Sequence, residues 1–283
     1  MNNNVIVELK NLGKVYSNGT VGLNQVNLII EKGEFIVVIG PSGAGKSTFL
    51  RSLNRLITPT SGEIRFEGRE ITGLKERELR KVRGKMGMIF QNYNLITRVS
   101  VLENVLHGAL NRMSVLDGIL GRYSEEDKEE ALQLLGELGL EEKAGNRADE
   151  LSGGQQQRVG ICRALEQKPA LILADEPIAS LDPKSSETVM NSLKSSCQKR
   201  GISCIVNLHQ VEIAKTYATR IIGMRKGEIV FDGKPEELDD KMLEYIYRVE
   251  KEEEPNKVLT KPEEADRKEI LMPQMDGRQR SAV

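Results

Sequence analysis

Apolar and polar positions along the chain alternate between short β-rich runs and longer helical spacings, the pattern of an α/β fold. Residues 6–12 and 26–30 read as two early strands joined by a turn at Ser17-Asn18-Gly19. Phe35-Ile36-Val37-Val38-Ile39 is continuously apolar and mostly β-branched, as a strand buried on both faces should be. Residues 86–90, 171–174 and 203–208 have the same character, and a helical pattern follows each. These four runs predict a parallel sheet. Across residues 95–159 the strand signals vanish. Ser124, with Asp127 three residues on, opens a helix whose positions Ala131, Leu134, Leu135 and Leu138 share one face. We therefore expect an α-helical subdomain over 95–159, inserted into an α/β core made of residues 1–94 and 160–248. Leu238, Met242, Tyr245, Ile246 and Val249 are spaced by threes and fours and predict one last helix. Residues 249–283 are charged and lack aromatic side chains, which predicts a flexible tail.

Composition narrows the class. Charged residues make up 29% of the 283 and hydrophobic ones 39%, a balance that suits a soluble globular protein. The 41 basic against 42 acidic residues argue against a generally basic nucleic-acid binder. No apolar run approaches the roughly 20 residues that span a bilayer. Met1-Asn2-Asn3-Asn4 has neither a basic nor an apolar leader segment, so we expect a cytoplasmic protein. Cys162, Cys197 and Cys204 lack CxxC spacing and read as reduced thiols. His107 and His209 are the only histidines, which rules out a His-rich metal site; His107 reads as structural.

The chemistry begins directly after the run at 35–39. Gly40-Pro41-Ser42-Gly43-Ala44-Gly45-Lys46-Ser47-Thr48 fits G-x-x-x-x-G-K-[ST], the loop that cradles phosphates. Its glycines let successive backbone N–H groups converge on one anion, and the helix that follows adds its positive end. Lys46 can reach the β- and γ-phosphates of a nucleotide, and the Ser47 hydroxyl can ligate Mg²⁺. A second feature corroborates the first: the run at 171–174 ends in Asp175-Glu176. In phosphate-loop enzymes such an aspartate holds Mg²⁺, and Glu176 is then placed to polarise an attacking water.

Between these two lies Leu151-Ser152-Gly153-Gly154-Gln155. This pentapeptide resembles the signature of the ATP-binding cassette (ABC) ATPases, and it occupies that family's position in the chain. The resemblance covers residues 5–248. It implies a phosphate-loop NTPase core with a small antiparallel β part and an inserted α-helical subdomain. It implies ATP and Mg²⁺ as ligands, and two copies joined head to tail with ATP between them. Carried over by residue, Tyr16 would stack on adenine, and Gly40 to Thr48 would hold the phosphates. Gln91 would ligate Mg²⁺ together with Ser47 and Asp175, and would sense the γ-phosphate. Ser152, Gly153, Gly154 and Gln155 would grip ATP bound to the opposite copy. Asp182 would lie in a loop that communicates across the dimer; from its own residues, Asp182 before Pro183 reads as a helix cap. Glu176 and His209 would complete the catalytic set, with His209 on the γ-phosphate and the water.

Without a membrane span of its own, a transport ATPase needs separate permease subunits and works on the cytoplasmic face of the membrane. The segments around Phe90-Gln91-Asn92-Tyr93, the insertion at 113–123 and Asn207-Leu208-His209-Gln210 are similar to those of phosphonate-importer ATPases. This resemblance implies a permease pair and, indirectly, a solute-binding protein, with no nucleic-acid partner. Other readings are the ATPase of another small-solute importer or of a lipoprotein-release or cell-division complex. A soluble cassette acting on nucleic acid or ribosomes fits less well, because the chain carries one cassette and no heptad region.

Overall fold

The computed structural model describes residues 4–248; the expectations for 249–283, and for Val249 on the last helix, lie outside them. The chain begins with β1 (Val5–Val15), β2 (Val21–Glu31) and β3 (Phe35–Ile39), then α1 (Lys46–Leu53). Next come β4 (Ser61–Phe66), β5 (Arg69–Glu70), α2 (Glu76–Arg83) and β6 (Met86–Ile89). A helical stretch holds α3 (Val101–Leu106), α4 (Val115–Leu120), α5 (Glu125–Glu137) and α6 (Gly153–Glu166). The chain then runs through β7 (Leu171–Asp175), α7 (Pro183–Arg200), β8 (Ser203–Asn207), α8 (Val211–Tyr217), β9 (Arg220–Arg225), β10 (Glu228–Gly233) and α9 (Asp240–Tyr247).

All four strands expected in the parallel sheet are there, in the order β3-β8-β7-β6. Two more extend it beyond β3: β9 is parallel to β3, and β10 is antiparallel to β9. The early strands form a separate antiparallel sheet, β2-β1-β4-β5.

Period-two alternation explains why the central strands read as unbroken apolar runs. Phe35, Val37 and Ile39 of β3 pack with Ile172 and Ala174 of β7 and Val206 of β8 on the face covered by α5, α6 and α7. Ile36 and Val38, with Leu171, Leu173 and Ile205, face the other way, onto α1 and the antiparallel sheet. Both faces are sealed, so the sheet can open to a ligand only at its ends.

The insertion at 113–123 folds around α4, capped at its start by Ser114 and closed by Gly121. No residue of α4 is buried, and Val115 and Ile119 are 81% and 77% exposed. α6 runs without a break through residue 159, so one helix serves both the helical region and the core. It ends at Glu166, which is fully buried. Glu166 Oε1 accepts from Arg112 Nη2 at 3.0 Å, and the same guanidinium reaches Asp127 at 2.7 Å. Burial pushes the Glu166 carboxyl up to about 7, although Arg112 pulls the other way.

A raised carboxyl pKa means that the folded chain holds a proton there which the unfolded chain releases. The stability from this group is full below the ordinary value of 4.5 and is lost as pH rises through about 7. Glu166→Gln, an uncharged isostere, is expected to escape this loss. Its melting temperature relative to wild type should climb between pH 4.5 and 7 and then level off; a difference constant in pH would contradict the assignment.

Candidate active site at the carboxyl ends of the sheet

The carboxyl ends of parallel strands are where open α/β sheets bind ligands, and the candidate residues collect there. The phosphate loop follows β3, Gln91 follows β6, Asp175-Glu176 closes β7, and Asn207-Leu208-His209 closes β8. Because β8 lies between β3 and β7, Asn207 is paired in register both with Val38 and with Asp175.

Two glycines make the loop possible. Gly40 has φ 149°, and a Cβ there would lie 2.3 Å from the Met224 carbonyl oxygen. Gly45 has φ 102°, and its Cβ would lie 2.4 Å from the Gly22 carbonyl oxygen. Any other side chain at either position would force backbone apart from backbone. Gly45 is also the N-cap of α1 and gives it no side-chain cap, so the first amides of that helix remain available to an anion.

Lys46 is 5% exposed, and its ammonium donates to the Gly40 and Pro41 carbonyls at 2.7 and 3.0 Å. Burial lowers its pKa, and the nearby Glu176 and Asp175 carboxylates oppose that shift. The arrangement holds a positive charge over the loop on neutral acceptors, which a phosphate oxygen can displace.

The Asp175 carboxylate is fully engaged. Its Oδ1 accepts from Ser47 Oγ and from Asn207 Nδ2, both at 2.9 Å. Its Oδ2 accepts from Arg51 Nε, and Arg51 Nη2 also approaches to 2.9 Å. A hydroxyl oxygen hydrogen-bonded to a carboxylate is a hard, all-oxygen donor pair of the kind Mg²⁺ takes when phosphates supply other ligands. Among the described residues no group of three or more His, Cys, Asp or Glu side chains could hold a metal ion, so the nucleotide would have to complete the coordination. Glu176 has φ 52°, a left-handed conformation that costs a non-glycine residue about 1 kcal/mol or more. Its Oε1 lies 2.7 Å from His209 Nε2. Glu176 and His209 line a cavity of about 110 Å³ with Asn207, Leu208 and Gln210.

Tyr16 also reaches the loop: its hydroxyl is 2.9 Å from Thr48 Oγ1, and Lys14 Nζ sits 5.3 Å from the ring centre. Gln91 is exposed just past β6. Beside it Tyr93 and Asn94 are left-handed, and Arg163 of α6 holds both of their carbonyl oxygens.

The signature segment is built differently. Ser152 caps α6 in a reciprocal box: its Oγ accepts from the Gln155 amide, and Gln155 Oε1 accepts from the Ser152 amide. In both side chains the acceptor serves the helix, while the Ser152 hydroxyl proton and the Gln155 NH₂ are left to donate elsewhere. Ser152, Gly154 and Gln155 line a cavity of about 140 Å³ with Arg158, Lys184, Ser185 and Thr188. None of these belongs to the phosphate loop, so the structure does not bring the signature and the loop of one chain into a common pocket. Asp182 acts as the helix cap that its own residues predict: it is the N-cap of α7 and accepts from the Ser185 amide at 3.0 Å, with Pro183 in the first turn. His107 is half-buried, and burial beside Arg163 lowers its pKa, in keeping with a structural role.

Arg51 and Asn207 are the site residues that sequence reasoning missed. Arg51 carried a signal, since it follows Ser47 by four positions and so shares its face of α1.

Comparison with known proteins points to one family. The ABC transporter family matches residues 23–179. A phosphonates import ATP-binding protein of Halalkalibacterium halodurans is 58% identical over 86% of this chain and 100% of its own length. Another, of Treponema denticola, is 54% identical over 84% of this chain and 93% of its own. Among solved structures, a dimeric ATP-binding cassette in a post-hydrolysis state with ADP and phosphate superposes with a TM-score of 0.72. It is 38% identical over 81% of this chain and 99% of that one. A nucleotide-free cassette from an ABC transporter gives 0.71 at 28% identity, over 86% and 94% of the two chains. With its phosphate loop, its paired carboxylates and its capped signature helix in that family's order and fold, the chain belongs to the ABC transporter family.

Proposed function

We propose that the chain is the ATPase subunit of a phosphonate importer, working as a pair of identical cassettes under a separate membrane permease. One observation carries the reaction: Lys46, Ser47, Asp175 and the Glu176–His209 pair meet at the carboxyl ends of three adjacent strands. The cargo rests on relatives more than half identical that are named for phosphonate import.

In this reading ATP and water become ADP and phosphate. The Lys46 ammonium leaves the Gly40 and Pro41 carbonyls for the β- and γ-phosphates, and the amides of residues 40–48 close around them. Ser47, Asp175 and Gln91 would hold Mg²⁺, which neutralises phosphate charge when bound. Glu176 takes the proton of the attacking water. His209 keeps the Glu176 carboxylate oriented and reaches the γ-phosphate, and Tyr16 stacks on the adenine. Ser152, Gly153, Gly154 and Gln155 grip the ATP carried by the second copy; Ser152 and Gln155, with their spare donors, line a cavity that holds no residue of their own chain's phosphate loop. Asp182, at the start of α7, lies beside that contact. The dimeric state of the solved cassette supports the pairing of two copies.

No helix among the described residues is long and apolar enough to cross a membrane. In the proposed reading the cassette works at the cytoplasmic face through permease subunits, which a solute-binding protein supplies with cargo. The test is uptake of a labelled phosphonate in a strain lacking this gene. Wild type is expected to restore uptake, and the purified protein should come with a membrane permease pair. Unimpaired phosphonate uptake in the deletion strain, or co-purification with rRNA or DNA instead, would overturn the reading.

A further inference from the structure

Asn207 is a polar side chain at a position where packing alone would favour an apolar one. It ends β8 fully buried, between the buried Val206 and Leu208 of its own chain segment. Its amide orientation is fixed by chemistry: a carboxylate only accepts, so Nδ2 must be the atom facing Asp175 Oδ1 at 2.9 Å. That leaves Asn207 Oδ1 buried with no hydrogen-bond partner. A buried acceptor without a donor costs a fold free energy, which offsets part of what the hydrogen bond to Asp175 contributes. Packing alone therefore does not account for Asn207, and its one side-chain hydrogen bond goes to the carboxylate next to Ser47.

Arg51 grips the opposite oxygen of Asp175 but differs in kind. It is a cation, so it opposes a metal ion on the same carboxylate, and its side chain is 46% exposed. Asn207 is neutral and rigidly held, paired in register with Asp175 on one side and Val38 on the other. It can fix the rotation of the carboxylate without cancelling its charge, which is what a residue behind a metal ligand needs to do.

We propose that Asn207 is a positioning residue for the metal–nucleotide site, orienting Asp175 toward the Ser47 hydroxyl. This rests on the assignment of Ser47 and Asp175 as the Mg²⁺-holding pair. The experiment uses Mn²⁺ as probe, titrated into the full-length protein with ADP and followed by its EPR signal. ADP affinity in EDTA and the ligand-free melting temperature are measured alongside. For Asn207→Leu, near in size and unable to hydrogen-bond, Mn²⁺ affinity is expected to fall about 10- to 100-fold. Metal-free ADP affinity should stay unchanged, even where the lost hydrogen bond to Asp175 lowers the melting temperature. Asn207→Ala, which cannot overpack, should lose metal affinity to the same extent. Wild-type Mn²⁺ affinity in both variants would overturn the proposal. So would a metal defect matched by an equal loss of metal-free ADP binding and of melting temperature, which would mark a purely structural residue. Failure of wild type itself to bind Mn²⁺ with ADP would instead refute the parent assignment of Ser47 and Asp175.

Discussion

Glu176→Gln is expected to lower ATP turnover by roughly 10²- to 10⁴-fold, the usual worth of a positioned general base. ATP binding should be intact. The amide keeps the volume of the carboxylate and can still meet His209 Nε2, which lies 2.7 Å from Oε1 in the native site. What it lacks is a lone pair basic enough to take a proton from water. It also removes a negative charge near the γ-phosphate, so ATP should stay bound and hold two copies together. Phosphate release measures the first effect, and size-exclusion chromatography with and without ATP measures the second. A variant that turns over at the wild-type rate removes Glu176 as the base.

Lys46→Ala acts one step earlier, on binding. An ammonium about 4 Å from a phosphate oxygen is worth roughly 4 kcal/mol at an effective dielectric near 20. Nucleotide affinity should therefore fall by about 10²- to 10³-fold. Ligand-free stability should change little, because burial already disfavours the Lys46 charge and the variant releases only two loop carbonyls. Isothermal titration with ATP separates the outcomes: undiminished affinity would mean that the loop is not the phosphate site.

These residues were legible because each lies in a contiguous pattern. The strand–loop–helix around Lys46 and the strand ending in Asp175-Glu176 are local, and the buried strands read as long apolar runs because both faces of the sheet are covered. β9 was not legible. Arginine stands at both of its ends and Gly223 near its middle, and only its pairing with β3 brings Ile221 and Ile222 into the core. The same limit hid Asn207, which lies within the run at 203–208 that reads as apolar. Its meaning depends on the residue across from it, and strand register is information a single strand does not carry. Tyr16 and Gln91 needed a family resemblance to stand out, since a lone aromatic and a lone amide have many ordinary uses.

The position of β8 between β3 and β7 bears on timing. Phosphate loop, Asp175, Glu176 and His209 all hang from three strands that share backbone hydrogen bonds, so their spacing has little freedom to vary from one catalytic cycle to the next. The Ser152 end of α6 belongs to no strand of that sheet and lines a separate cavity. In the proposed pairing, a copy of the cassette carries its cutting edge ready-made and waits only for its counterpart's donors. The clock of that proposed cycle is set by arrival of the second copy, and a permease would run it by governing how often the two meet.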